Sequence, residues 1–198
     1  MSRTHNFSKR CLTWRILPTT IRNALQGAFR MKDIMKRKTL SPYLIEKLML
    51  AVTSVNGCRY CSFFHASMAI KSGIVPDEVI EMLQGDIGSC TEEDAFICAF
   101  AQHYAEYKEN PTPEMIKSLI KRFGLEKTKD LIASIQMITM GNLFGNTIDS
   151  FIERLRLENH QKGSIGLEFL IFIVSFPLLP LIWKKMAVSP IMKKLKIK

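Results

Sequence analysis

Hydrophobic positions recur at helical spacing along nearly the whole chain, and no convincing run alternates with the period of two that a strand requires. Between Thr20 and Lys38, the apolar positions Ile21, Leu25, Ala28, Phe29, Ile34 and Met35 predict a basic amphipathic helix. Ser41-Pro42 is a helix start, with the serine as cap and the proline in the first turn. That helix runs through Leu44, Leu48, Ala51, Val52 and Val55 to the stop signal Asn56-Gly57. A further helix begins around Cys58 and closes at Gly73, and Pro76-Asp77-Glu78 opens a short one ending near Gly85. Thr91 to Asp94 puts three acids in the first turn of a helix reaching about Lys108. Asn110 to Pro113 breaks the chain; Thr112 then caps a helix from Pro113 to Phe123, with Gly124 past its end. Leu131 to about Leu157 reads as one longer helix, whose Gly141 and Gly145 let another helix approach closely. The expected fold is all-α.

The last segment differs in kind. Ile165 to Trp183 holds nineteen residues and one ionisable group, Glu168, with Lys184-Lys185 following at once. Its length barely suffices to cross a bilayer, and a span would put the lysines on the cytoplasmic side. Pro177 and Pro180 favour a bent anchor lying at the interface or re-entering it. Packing on the domain, or filling a groove in an oligomer, is the alternative use of the same residues. The chain therefore divides into a basic N-terminal extension (1–38), a helical domain (39–160), and an apolar, lysine-terminated tail (161–198).

Charge follows the same division. The net charge of +10 averages +9 over residues 1–38, +6 over 184–198 and −5 in between. Basic ends on an acidic middle point to anionic partners met by the termini. The basic stretch has no glycine-rich loop and no nucleic-acid-binding module, so no nucleic-acid partner is expected, and a membrane surface is.

Five cysteines, at 11, 58, 61, 90 and 98, make an odd set in which only Cys58 and Cys61 have motif spacing. Residues 1–38 contain no apolar stretch, so no secretory signal is read there and a reducing cytoplasm is the expected compartment. In that setting a Cys-x-x-Cys pair is more often catalytic or metal-binding than structural. A zinc site would need two further ligands at suitable spacing, which the chain does not offer, so no metal is expected. On a helix starting at Cys58, Cys61 and His65 share a face. The imidazole can take the thiol proton there, and the helix N-terminus favours a thiolate. Glu46, on the preceding helix, can return alongside His65 and orient it. A buried pair of small thiols at coincidental spacing is the bland alternative. Cys11, Cys90 and Cys98 read as structural or adventitious thiols, and His103 as structural.

Together, Glu46, Cys58, Cys61 and His65 resemble the AhpD-like alkylhydroperoxidases of the carboxymuconolactone decarboxylase superfamily. The resemblance spans Pro42 to Leu155, through Glu46-Lys47-Leu48, Asn56-Gly57-Cys58-x-x-Cys61, the His65 helix, and Gly141-Asn142-x-x-Gly145-Asn146. It implies an AhpD-like helical bundle, here with a hydrophobic helical tail, assembled as a homo-oligomer, a trimer or hexamer. It implies Cys61 as peroxidatic thiolate, Cys58 as resolving thiol, His65 as proton acceptor for Cys61 and Glu46 as the far end of the relay. The implied substrate is an organic hydroperoxide or hydrogen peroxide. No cofactor is implied; an external dithiol or protein donor returns the electrons. Tyr60 stands where some members carry a histidine, which weakens the relay. The decarboxylase branch lacks the cysteine pair, so the resemblance argues against lactone decarboxylation. The other reading is a non-catalytic redox sensor or scaffold at a membrane with a structural disulfide.

Overall fold

Residues 9–157 and 163–189 are described by a computed structural model of the chain. Among them are α1 (Leu17–Arg37), α2 (Pro42–Asn56), α3 (Arg59–Lys71), α4 (Pro76–Leu83), α5 (Glu92–Glu106), α6 (Pro113–Leu155), α7 (Ile165–Ser175) and α8 (Leu179–Val188), with no strand. The all-α expectation holds. The lysines at 193, 194, 196 and 198, and the boundary between 160 and 161, lie outside the described residues.

Helix α2 is the centre of the fold, packing on α3, α4, α5 and α6. It is apolar almost all round, the pattern of a helix with no solvent face, and Leu48, Leu50, Ala51 and Val52 are fully buried. Ser41 caps its start by accepting the Leu44 N–H through Oγ at 3.1 Å. Gly57 ends it at φ 68°, a left-handed position that favours glycine, and donates its N–H to the Thr53 carbonyl at 2.8 Å. One cation is buried with this helix. Lys47 is locked between Glu78 at 2.8 Å and Asp94 at 3.0 Å, tying α2 to α4 and α5.

Helix α6 is bent at Gly124, whose φ of 78° breaks the helical path where the chain was expected to stop. Helix then resumes at once instead of at Leu131. Thr128 Oγ1 donates to the Gly124 carbonyl at 2.8 Å, and the next turn is anchored by Asp130, which is fully buried. Arg30 Nε and Thr39 Oγ1 each lie 2.6 Å from the Asp130 carboxylate.

Those Asp130 contacts explain a second departure. Of its apolar stripe helix α1 buries only Ile34; it lies along α6 through Thr20, Gly27 and Ile34. A Cβ on Gly27 would meet the Ala133 carbonyl oxygen at 2.9 Å, so the two helices are close here because Gly27 has none. Ile21, Leu25, Phe29 and Met35 point outward, with Phe29 74% and Met35 71% exposed.

Helices α7 and α8 meet at 79° across Pro177 and fold back onto α6. Leu167, Ile171 and Leu179 join Leu143, Ile148, Ile152 and Leu12 in a second apolar cluster. Glu168, fully buried, is held by Ser150 Oγ at 2.9 Å and Arg154 Nε at 2.9 Å. Among the described residues no single helix is long and apolar enough to cross a membrane; the bent pair together meets the length and composition.

Candidate active site

Cys58 is the residue at which the α2–α3 turn becomes helix. Its backbone is extended (φ −82°, ψ 110°) and its Sγ takes the Cys61 N–H at 3.5 Å, so a thiol occupies the N-cap position usually held by a hydroxyl or carboxylate. Its carbonyl accepts both the Ser62 N–H and the Ser62 hydroxyl at 2.9 Å. The turn before it is pinned by Asn146, whose amide donates to the Asn56 carbonyl at 2.8 Å. Cys58 is fully buried, whereas Cys61, one turn on, is partly open. Both are free thiols.

Helix α6 seats the pair. A Cβ on Gly145 would lie 2.5 Å from Cys58 Sγ and 3.1 Å from Tyr60 Cδ2, and one on Gly141 would lie 3.6 Å from Cys61 Sγ. The close approach expected at these glycines is thus made by the start of α3 and by the sulfurs themselves.

The two thiols share a hydrogen bond, and its direction decides where the charge sits. Cys58 receives it, and with the backbone N–H groups of Cys61 and Tyr60 this holds its pKa below the ordinary thiol value, against burial and the nearby Asp149. Cys61 donates it, and that bond, burial and the Cys58 charge push Cys61 well up. Of the two thiols, Cys58 is the one whose deprotonation is favoured. The spacing to His65 points to Cys61 as the thiolate, whereas the N–H groups at the start of α3 favour deprotonation of Cys58.

Glu46 and His65 do meet, with Glu46 Oε2 2.8 Å from His65 Nδ1, both side chains largely buried. The edge-on ring of Phe64 is 5.1 Å from the imidazole. Cysteine pair and carboxylate–imidazole pair are each assembled, and no hydrogen bond links one to the other. Among the described residues no three His, Cys, Asp or Glu side chains gather as a metal-ligand set.

Two neighbours, Asp149 and Trp183, escaped the sequence reading because they come from distant segments, and both meet the Arg59-Tyr60 pair between the cysteines. Arg59 Nη2 pairs with Asp149 at 2.7 Å and also donates to the Tyr60 hydroxyl at 3.1 Å. Trp183 Nε1, from α8, donates to the same hydroxyl at 3.3 Å. Burial, reinforced by Asp149, pushes the Tyr60 phenol up to about 12, so it stays neutral. Behind Tyr60 lies an apolar cavity of about 170 Å³, whose walls include Gly141, Phe144, Gly145, Leu179 and Ile182. Two of those wall residues are the glycines that seat the thiols. Cys90 and Cys98, expected to be structural or adventitious thiols, also share a hydrogen bond, which with the nearby Lys47 lowers the pKa of Cys90.

An all-helical domain carrying a helix-capping dithiol beside a carboxylate–histidine pair defines a class of fold and site. Residues 24–96, the segment that holds Glu46, Cys58, Cys61 and His65, match the carboxymuconolactone decarboxylase family. No curated protein and no solved structure matches the chain.

Proposed function

We propose that the protein is a thiol-dependent peroxidase and disulfide oxidoreductase that reduces hydroperoxides with the Cys58–Cys61 pair. The observation that carries this reading is the contact between two free thiols at the start of α3, Cys58 buried with its pKa held down and Cys61 partly open with its pKa pushed up. A dithiol in this state is poised to lose two electrons as a disulfide.

The chemistry runs as follows. A hydroperoxide reaches Cys61, the more exposed sulfur, and the Cys61 proton passes to the Cys58 thiolate along the hydrogen bond they share. Cys61 sulfur attacks the distal peroxide oxygen; the S–O bond forms, the O–O bond breaks, and an alkoxide or hydroxide leaves. His65, one turn along α3 and oriented by Glu46, supplies the proton that makes it an alcohol or water. Cys58 sulfur then attacks the Cys61 sulfenic acid, expelling water and closing the disulfide. An external dithiol or protein donor returns two electrons and two protons.

Consumption of cumene hydroperoxide with dithiothreitol as donor tests this, comparing wild type with Cys58→Ser, Cys61→Ser and His65→Asn. Turnover in wild type, lost in both cysteine variants and slowed in His65→Asn, supports the proposal. Consumption no faster than that by free cysteine sinks it and leaves the redox sensor or scaffold, whose disulfide forms without turnover.

A further inference from the structure

The α7–α8 hairpin has two faces of the same composition and opposite fate. Its inner face closes the apolar cluster on α6 and is clamped by the buried Glu168. Its outer face leaves Phe169, Leu170, Ile173, Val174, Phe176 and Leu181 exposed, Val174 at 68%. We infer that this outer face is a docking surface for an anionic lipid bilayer, with the hairpin lying in the bilayer interface and the cavity behind Tyr60 opening toward the acyl chains.

Charge chooses the partner. Between Gly163 and Ser189 the ionisable residues are Glu168, Lys184 and Lys185. Glu168 is turned inward, so the exposed surface of the hairpin is apolar with lysines alone. An apolar face rimmed only by cations suits a headgroup layer of the opposite sign, which attracts each basic residue near it. A second copy of the same face would set lysine against lysine.

Geometry chooses the mode. Helices of 11 and 10 residues are each about 15 Å long, roughly half the hydrocarbon thickness, and a 79° bend prevents them from adding end to end. They fit a shallow insertion. Trp183, the type of side chain that settles at membrane–water boundaries, sits next to the lysines and bonds Tyr60.

The consequence for the site is a substrate class. Leu179 and Ile182 of the hairpin and Gly141 and Gly145 of the thiol seat line one cavity, so an acyl chain entering it would bring a lipid hydroperoxide to the dithiol. That consequence rests on the peroxidase reading; the docking does not.

The test uses reduced full-length protein with Trp14→Phe, so that Trp183 is the sole tryptophan. Vesicles of phosphatidylcholine alone, or mixed with phosphatidylglycerol, are compared by co-sedimentation and by quenching of Trp183 with brominated acyl chains. The expected result is binding to the anionic vesicles, quenching by the bromines, and at least about tenfold weaker binding in Lys184→Glu/Lys185→Glu. Leu170→Ser/Val174→Ser, which changes only exposed side chains, should weaken binding too. Failure to sediment with vesicles, or binding without quenching, overturns the inference. So does a dimer that ignores vesicles and dissociates in Leu170→Ser/Val174→Ser, which would make the face an interface between copies. Wild type that binds and is quenched but reduces no cumene hydroperoxide upholds the docking and removes the peroxidase.

Discussion

Two glycines four residues apart on α6 should respond in opposite ways to the same methyl group. Both are helical, so alanine at either gains up to about 1 kcal/mol of helix propensity. At Gly141 the new Cβ would lie 3.6 Å from Cys61 Sγ, an ordinary contact, and the gain survives. At Gly145 it would lie 2.5 Å from Cys58 Sγ, about 1 Å inside the contact distance. Overpacking of this kind costs about 1–3 kcal/mol, so Gly145→Ala should lose about 1 kcal/mol net. In a chain of this size that is a fall of about 2–4 °C in Tm. Cys58 can evade the clash by rotating its sulfur, and that escape has its own signature. A rotated sulfur leaves the Cys61 N–H, and the thiolate loses the donor that stabilises it. Melting curves and the pH dependence of ultraviolet thiolate absorbance measure both effects on the reduced protein. Gly141→Ala should raise Tm and leave the thiolate titration in place; Gly145→Ala should lower Tm and move the titration to higher pH. Equal shifts in Tm, or an unmoved titration in Gly145→Ala, would refute the N-cap account of the Cys58 charge.

Three further outcomes follow from the buried charges. Lys47→Met should destabilise the protein by about 3 kcal/mol in urea unfolding, since Glu78 and Asp94 lose the cation between them; adding Glu78→Gln should recover part of it. Burial pushes Cys11 up to about 11 and Tyr60 up to about 12, both above their unfolded values. The folded state holds these protons more tightly, so their contribution to stability is complete below about pH 9 and is lost as pH rises toward 12. Tm should fall across that window, and Cys11→Ala should flatten its lower part. Glu46→Gln keeps the shape of the carboxylate without its charge, and should slow hydroperoxide turnover by about tenfold or more with little change in Tm.

The parts of the structure legible in the sequence are those decided within a turn or two of helix. Ser41 and Thr112 cap the helices they were expected to cap, the acids at 92–94 fall in the first turn of α5, and Gly57 stops α2. The meeting of Glu46 with His65 was legible too, because α2 and α3 are joined by one short turn. What depended on distant segments was not. The apolar stripe of α1 announced an amphipathic helix but not its partner, and Gly27 with the Arg30–Asp130 pair turned that stripe outward. Residues 125–130 read as a gap because Gly124 follows Phe123, and Asp130 ties them to Arg30 and Thr39. The lowered pKa of Cys58 is legible in its place just before the helix, where an N-cap side chain meets the first N–H groups. Trp183 reaching Tyr60 lies 123 positions away, and no local pattern encodes it.

The central claim is that Cys61 meets the peroxide and Cys58 resolves it. Reduced Cys58→Ser should therefore be mixed with one equivalent of cumene hydroperoxide in the presence of dimedone, and the adduct located by peptide mass spectrometry, with Cys61→Ser as the counterpart. The account predicts a dimedone adduct on Cys61 in Cys58→Ser, little on Cys58 in Cys61→Ser, and a Cys58–Cys61 disulfide in wild type. An adduct on Cys58 alone would reverse the two roles, and oxidation of neither cysteine would contradict the account outright.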